Sequence, residues 1–132
     1  MRILILDDVV ERHAYFRNEL GNNHQLVHTW AYADCTRMLT QEDKFDVVFL
    51  DHDLSERQQM SRVGGPGFGD DLNGSDVVLF MVDRLPQEKR PNQVVVHSWN
   101  PAGAKFMIDT LKGAGFQNVS RWPFDPTKKL GV

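Results

Sequence analysis

Apolar residues along the chain fall into five short runs, separated by stretches in which they recur at helical spacing. "RILIL" (2–6), "QLVHTW" (25–30), "DVVFL" (46–50), "QVVVH" (93–97) and "NVSRW" (118–122) have the length and apolar content of strands. Between the first two, Val9, His13, Phe16 and Leu20 keep a helical period, and "GNN" closes the segment with glycine and asparagine. Asp34 is expected to cap a second, short helix whose apolar face holds Cys35, Met38 and Leu39. Val77, Val78, Met81 and Leu85 mark a third helix that Pro86 stops. Asn100 as cap and Pro101 as first residue open a fourth, which carries Ala104, Met107, Ile108 and Leu111 and ends at Gly113 to Gly115. Residues 55–72 show no usable period and are rich in glycine, so they are expected to form a long loop insertion.

Strand and helix therefore alternate. Strands that are apolar throughout are buried on both faces, which predicts an α/β fold with a parallel sheet wrapped by helices. For five strands the common order is 2-1-3-4-5, and ligands bind beyond the strand C-termini near the switch between strands 1 and 3. Polar residues gather at that edge. Strand 1 runs into Asp7 and Asp8, strand 3 into Asp51, His52 and Asp53, and strand 4 into His97, Ser98 and Asn100.

Composition narrows the class of protein. A length of 132 residues suits one domain with a real core, and 41% hydrophobic with 25% charged residues is ordinary for a globular chain. A net charge of −3 argues against a broad duplex nucleic-acid surface. The single Cys35 allows no intrachain disulfide, and no apolar run approaches the ~20 residues that span a bilayer. A cytoplasmic, membrane-free protein is the expectation.

The layout resembles response-regulator receiver domains over nearly the whole chain, a flavodoxin-like three-layer sandwich. Asp7 and Asp8 match the acidic pair, Asp51 the phosphoacceptor, Ser98 the Ser/Thr after strand 4, and "NGSD" (73–76) the turn into the third helix. Four departures stand out. Trp122 occupies the place of the lysine that precedes a proline after strand 5, a lysine that neutralises the phosphoryl group in receivers. Arg121 would have to point across in its stead. The 55–72 insertion is extra, "DPTKKLGV" is too short for a full last helix, and His52 and His97 are additions that a phosphorylation switch does not need. A shortened last helix could also expose apolar sheet for an interface. "LDHDL" (50–54) together with "HSWN" (97–100) is similar to the paired motifs of cyclic-phosphate-processing receiver-like domains. That resemblance implies action on cyclic phosphate ends of nucleic acid, with links to RNA repair.

The residues themselves support such chemistry. Converging carboxylates repel by about 1 kcal/mol per pair at ~4 Å even in water. A divalent cation, Mg²⁺ or Mn²⁺, would offset this, with Asp8 and Asp51 as ligands and Asp7 and Asp53 as helpers. Asp53 can equally cap a helix. His52 and His97 are expected to flank the phosphate as general acid and base of a hydrolase, in either assignment, while Ser98 and Asn100 donate hydrogen bonds to its oxygens. The substrate would be a nucleotide or an RNA end bearing a cyclic phosphate. A phosphoacceptor receiver using Asp51, or a degenerate receiver kept as a binding module, is the alternative. Within the 55–72 insertion, "SRVGGPGFGDD" (61–71) reads as a lid over the site or as a surface insertion. Trp99 can stack on a base or pack on its own loop, and Trp30 and Trp122 fit core or rim packing. His13, His24 and His28 are expected away from this edge, in structural or solvated positions.

Overall fold

A computed structural model describes residues 1–54, 72–130 and 132. The expected insertion at 55–72 falls outside these except for Leu72, and the expected lid at 61–71 falls outside them entirely. Five strands, β1 Arg2–Leu6, β2 Gln25–Thr29, β3 Val47–Leu50, β4 Gln93–Val96 and β5 Val119–Arg121, form one sheet in the order β2-β1-β3-β4-β5. All four pairings are parallel, with Ile3 opposite Val47 and Val48 opposite Val94. The helices are α1 Val10–Leu20, α2 Tyr32–Gln41, α3 Gly74–Asp83 and α4 Pro101–Gly113, with a 3₁₀ turn at Gln87–Lys89. Among the described residues no helix is long and apolar enough to cross a membrane.

Side chains alternate across the strands, so the sheet feeds two cores. Leu4, Leu6, Val48, Leu50, Val94 and Val96 pack against Cys35 and Leu39 of α2, Val77, Val78 and Met81 of α3, and Ala104, Met107 and Leu111 of α4. Burial pushes the Cys35 thiol up to about 12, so it behaves as a small apolar residue rather than a nucleophile. On the opposite face Ile3, Ile5, Val47, Phe49 and Val95 meet Phe16 and Leu20 of α1. Trp122, Phe124, Leu130 and Val132 complete that layer. The expectation of exposed sheet beside a shortened last helix is therefore corrected. An irregular C-terminal segment takes the helix's place, and the five sheet residues on this face are at most 2% exposed.

Two helix starts refine the sequence reading. Asp34 is not the cap of α2. It stands at the third helical position, and its carboxylate reaches back to accept the N–H groups of Trp30 and Ala31, both at 2.8 Å. The helix therefore begins three residues earlier than a cap at Asp34 would allow. Asn73 and Asn100 do cap their helices, accepting from Ser75 and Gly103.

The start of α3 is drawn tight against the end of β3. The Gly74 N–H donates to the His52 carbonyl at 3.0 Å, and a Cβ on Gly74 would overlap the carbonyl oxygen of Asp51. Only glycine permits this approach of α3 to the end of β3. Gly74→Ala is expected to cost at least the 1–3 kcal/mol typical of overpacking, read as a fall of several degrees in the thermal midpoint by circular dichroism. An unchanged midpoint would show that this approach does not constrain the fold.

Candidate functional site

The parallel ladder continues one residue beyond each strand, and that residue is ionisable in three neighbouring strands. The N–H groups of Asp7, Asp51 and His97 donate to the carbonyls of Thr29, Leu6 and Leu50. Sheet register alone thus brings Asp7, Asp51 and His97 side by side. Asp7 is fully engaged. Its Oδ1 accepts the Val9 N–H at 2.8 Å where α1 begins, and its Oδ2 accepts His97 Nε2 at 2.7 Å. Neither Asp7 nor His97 has any exposed surface. Because a carboxylate only accepts, Nε2 carries the proton in this pair, and His97 Nδ1 has no hydrogen-bond partner among the described residues.

Above this buried layer lies a cleft of about 180 Å³ lined by Asp8, Val9, Arg12, Asp51, Asp53, Ser98 and Trp99. Arg12 projects from the first turn of α1, and its Nη1 lies 3.4 Å from Asp7 Oδ2 and 3.5 Å from Asp51 Oδ2. The guanidinium also stacks on Trp99 and Phe124, 4.6 and 5.2 Å from the ring centroids. Sequence reasoning passed over this residue. The available signal was its position: four residues beyond Asp8 and one helical turn into α1, it faces the strand ends.

The lysine's place is filled differently. Trp122 packs among Tyr15, Phe16 and Phe124, and its indole nitrogen is buried. Arg121 does not point across, because its Nη2 donates to the Ser98 carbonyl at 3.2 Å. The cation beside Asp51 comes from α1.

The two central carboxyls respond oppositely to burial. For Asp7 burial would raise the pKa, but the hydrogen bond and charge of His97, the Val9 N–H and Arg12 together outweigh it and hold the group below its ordinary value. Asp51 is pushed up to about 6, chiefly by burial, with repulsion from Asp7 and Asp8 adding to it and His97 and Arg12 only partly opposing.

Neither expected histidine lines the cleft. His97 lies beneath it, holding Asp7. His52 stands at the rim, with Nδ1 2.8 Å from Asp53 Oδ1 and 3.4 Å from the Asn100 amide, and its ring lies over Gly103 in the first turn of α4. A Cβ on Gly103 would come within 2.6 Å of that ring. Asn100 uses its oxygen to cap α4, leaving its amide facing His52 and Asp53. The Ser98 hydroxyl accepts the Asn100 N–H at 3.0 Å. His13, expected away from this edge, in fact touches it: Nε2 meets the Asp7 carbonyl at 2.8 Å, Nδ1 meets His28 Nδ1 at 2.6 Å, and Trp30 stacks on the ring. Burial lowers the pKa of both imidazoles, that of His28 to about 4.

Three of these side chains form a group that could hold a metal ion. Asp7, Asp51 and His97 each offer a ligand atom within 4.8 Å of the others, while Asp8 and Asp53 face the adjoining cleft.

A carboxyl whose folded pKa lies above its unfolded value of 3.8 costs stability once pH rises through that window. Ionised Asp51 should cost on the order of 3 kcal/mol above its folded pKa and nothing well below the unfolded one. In chelator, Asp51→Asn is expected to melt several degrees above wild type near neutral pH, and the gap should close toward pH ~4. Added Mg²⁺ should narrow it at neutral pH. A gap that ignores pH would reject the burial explanation.

Comparisons with known proteins agree with this architecture. Among solved structures, the chain is similar to a CheY-like receiver domain from Methylobacillus flagellatus at 20% identity, covering 96% of this chain and 89% of that one with a TM-score of 0.64. It is also similar to the response regulator TrrA of Thermotoga maritima, solved with Mg²⁺ and beryllofluoride, at 13% identity, 94% and 86% coverage and a TM-score of 0.61. A CheY-like receiver from Methanospirillum hungatei aligns at 16% identity, 95% and 83% coverage and 0.58. These likenesses show the fold. No curated protein matches the chain. Residues 2–113 match the family described as the cyclic-phosphate processing receiver domain. With the match covering most of the sequence, including both the Asp51–His52–Asp53 run and the His97–Asn100 segment, the chain belongs to that family.

Proposed function

We propose that the cleft is a cation-assisted hydrolytic site for cyclic phosphodiesters carried by nucleotides or RNA ends. The observation that carries this reading is the Asp53–His52 pair at the rim of a cleft that also holds Arg12, Asp8 and Asp51. An anion-binding cation and a carboxylate cluster thereby share one small space, with a proton-transfer group held beside it by Asp53. The family's description as cyclic-phosphate processing supports the same chemistry.

A cyclic phosphodiester presents two non-bridging oxygens that share one negative charge, and a strained ring, to an in-line water. Arg12, held between two carboxylates and two aromatic rings, is oriented to meet a phosphoryl oxygen as charge builds on it. Asp53 holds His52 Nδ1, so Nε2 is the atom that takes the proton of the attacking water. The departing ribose oxygen takes a proton from solvent, leaving a phosphomonoester. His97, enclosed and bonded to Asp7, acts as a positioning residue or ligand rather than at the reacting atoms. A bound Mg²⁺ or Mn²⁺, held by Asp51 with Asp7 or His97 and helped by Asp8, would supply Lewis acidity toward the phosphoryl oxygens.

The receiver fold favours a second reading, phosphorylation of Asp51. This carboxylate ends β3 and reaches the cleft beside Ser98, the arrangement expected of a phosphoacceptor, and TrrA of Thermotoga maritima was solved with Mg²⁺ and a beryllofluoride group. The tryptophan in place of the lysine and the Asp53–His52 pair speak against a switch. A third reading, a binding module, predicts a bound cation with neither turnover nor phosphorylation.

Phosphorus NMR of a short RNA with a 2′,3′-cyclic end separates the three. The first reading expects ring opening that needs Mg²⁺ or Mn²⁺, slowed about 10²- to 10⁴-fold by His52→Ala and about 10²- to 10³-fold by Arg12→Ala. A cyclic resonance untouched with both metals, alongside labelling of Asp51 by acetyl phosphate, would replace it with the second.

A further inference from the structure

Beyond Trp99 the surface opens into a second, larger groove of about 530 Å³, bounded by Trp99, Trp122, Phe124, Arg121, Lys128 and Lys129. Trp99 belongs to both spaces. Arg12 lies over its ring on the side of the acidic cleft, and its Nε1 donates to the Phe124 carbonyl at 2.8 Å, which pins the indole as the wall between them. At 63% exposure Trp99 is the most exposed aromatic residue among the described large apolar side chains. The outer groove has three cationic side chains against one carboxylate, Asp125, in a chain whose net charge is −3. Asp125 is turned to its own loop, accepting the backbone N–H and hydroxyl of Thr127.

From this geometry we infer that the groove between Trp99 and Lys128–Lys129 is a binding site for the nucleotide that precedes the phosphate end, so that the protein's ligand is a single-stranded oligoribonucleotide rather than a mononucleotide. The inference rests on the proposed function for the identity of the terminal group. Aromatic walls provide stacking surfaces for a base of any sequence, and the lysines with Arg121 meet the backbone phosphate that links it to the terminal nucleotide. An acidic peptide would engage the cations but leave the indole surfaces without a partner.

The test uses fluorescence anisotropy of a 5′-labelled tetraribonucleotide ending in a 3′-monophosphate, which undergoes no ring opening, with a mononucleoside 3′-phosphate as competitor. Wild type should bind the tetranucleotide at least about tenfold more tightly than the mononucleotide. Lys128→Glu combined with Lys129→Glu should abolish that advantage and reduce the slope of log affinity against log salt by about 0.7 for each phosphate that the protein no longer neutralises. The same double variant should turn over a mononucleoside 2′,3′-cyclic phosphate at the wild-type rate. Equal affinity for the two ligands, an unchanged advantage in the double variant, or equally tight binding of a polyglutamate peptide would each overturn the inference. Normal turnover of the mononucleotide with no tetranucleotide advantage sinks the groove alone. Groove-dependent binding without any turnover sinks the hydrolytic reading and leaves the groove standing.

Discussion

The hydrogen bond between Asp7 and His97 is the interaction on which the site depends. It joins the ends of β1 and β4 across the end of β3, 2.7 Å long and closed to solvent. One carboxylate thereby serves three purposes. It ties two strands together, accepts the Val9 N–H where α1 starts, and anchors Arg12 over the cleft. A buried carboxylate with a single partner would be costly, and the convergence of three donors is what lets Asp7 remain ionised there. The orientation of α1, and with it the reach of Arg12, follows from that convergence.

Asp51 lies beside this arrangement without sharing it. Its neighbours have already committed His97 to Asp7, and Arg12 is divided between the two carboxylates. The result is a carboxyl poised to take up positive charge, whether a proton or a cation. Concentrating this deficit on one residue keeps the rest of the acidic edge compatible with a stable sheet.

The C-terminal segment explains the tryptophan at position 122. Trp122, Phe124, Leu130 and Val132 cover the sheet face that a last helix would otherwise shield, so position 122 needs a large apolar group. A lysine there would place an ammonium among Tyr15, Phe16 and Phe124. The cation beside Asp51 is Arg12, whose guanidinium tolerates stacking on Trp99 and Phe124 better than an ammonium would.

The strand order, the helix positions and the gathering of Asp7, Asp8, Asp51, His52, Asp53, His97 and Ser98 at one sheet edge were all legible in the sequence. Period and strand length set the element types, and a parallel sheet necessarily brings successive strand ends to the same side. The cap at Asn100 was legible for the same reason, being a local interaction within three residues. What each site residue touches was not. His97 and His52 look alike in sequence, yet one is enclosed against Asp7 and the other rests on Gly103 at the rim, because register and the approach of α4 decide which ring is covered. Arg12 and Trp99 could not be paired from a pattern, since 87 positions separate them and their meeting depends on where the C-terminal segment packs. Local periodicity determined the scaffold and the edge where chemistry gathers; long-range packing alone decided which charges are paired, which are left in deficit, and which cation faces the cleft.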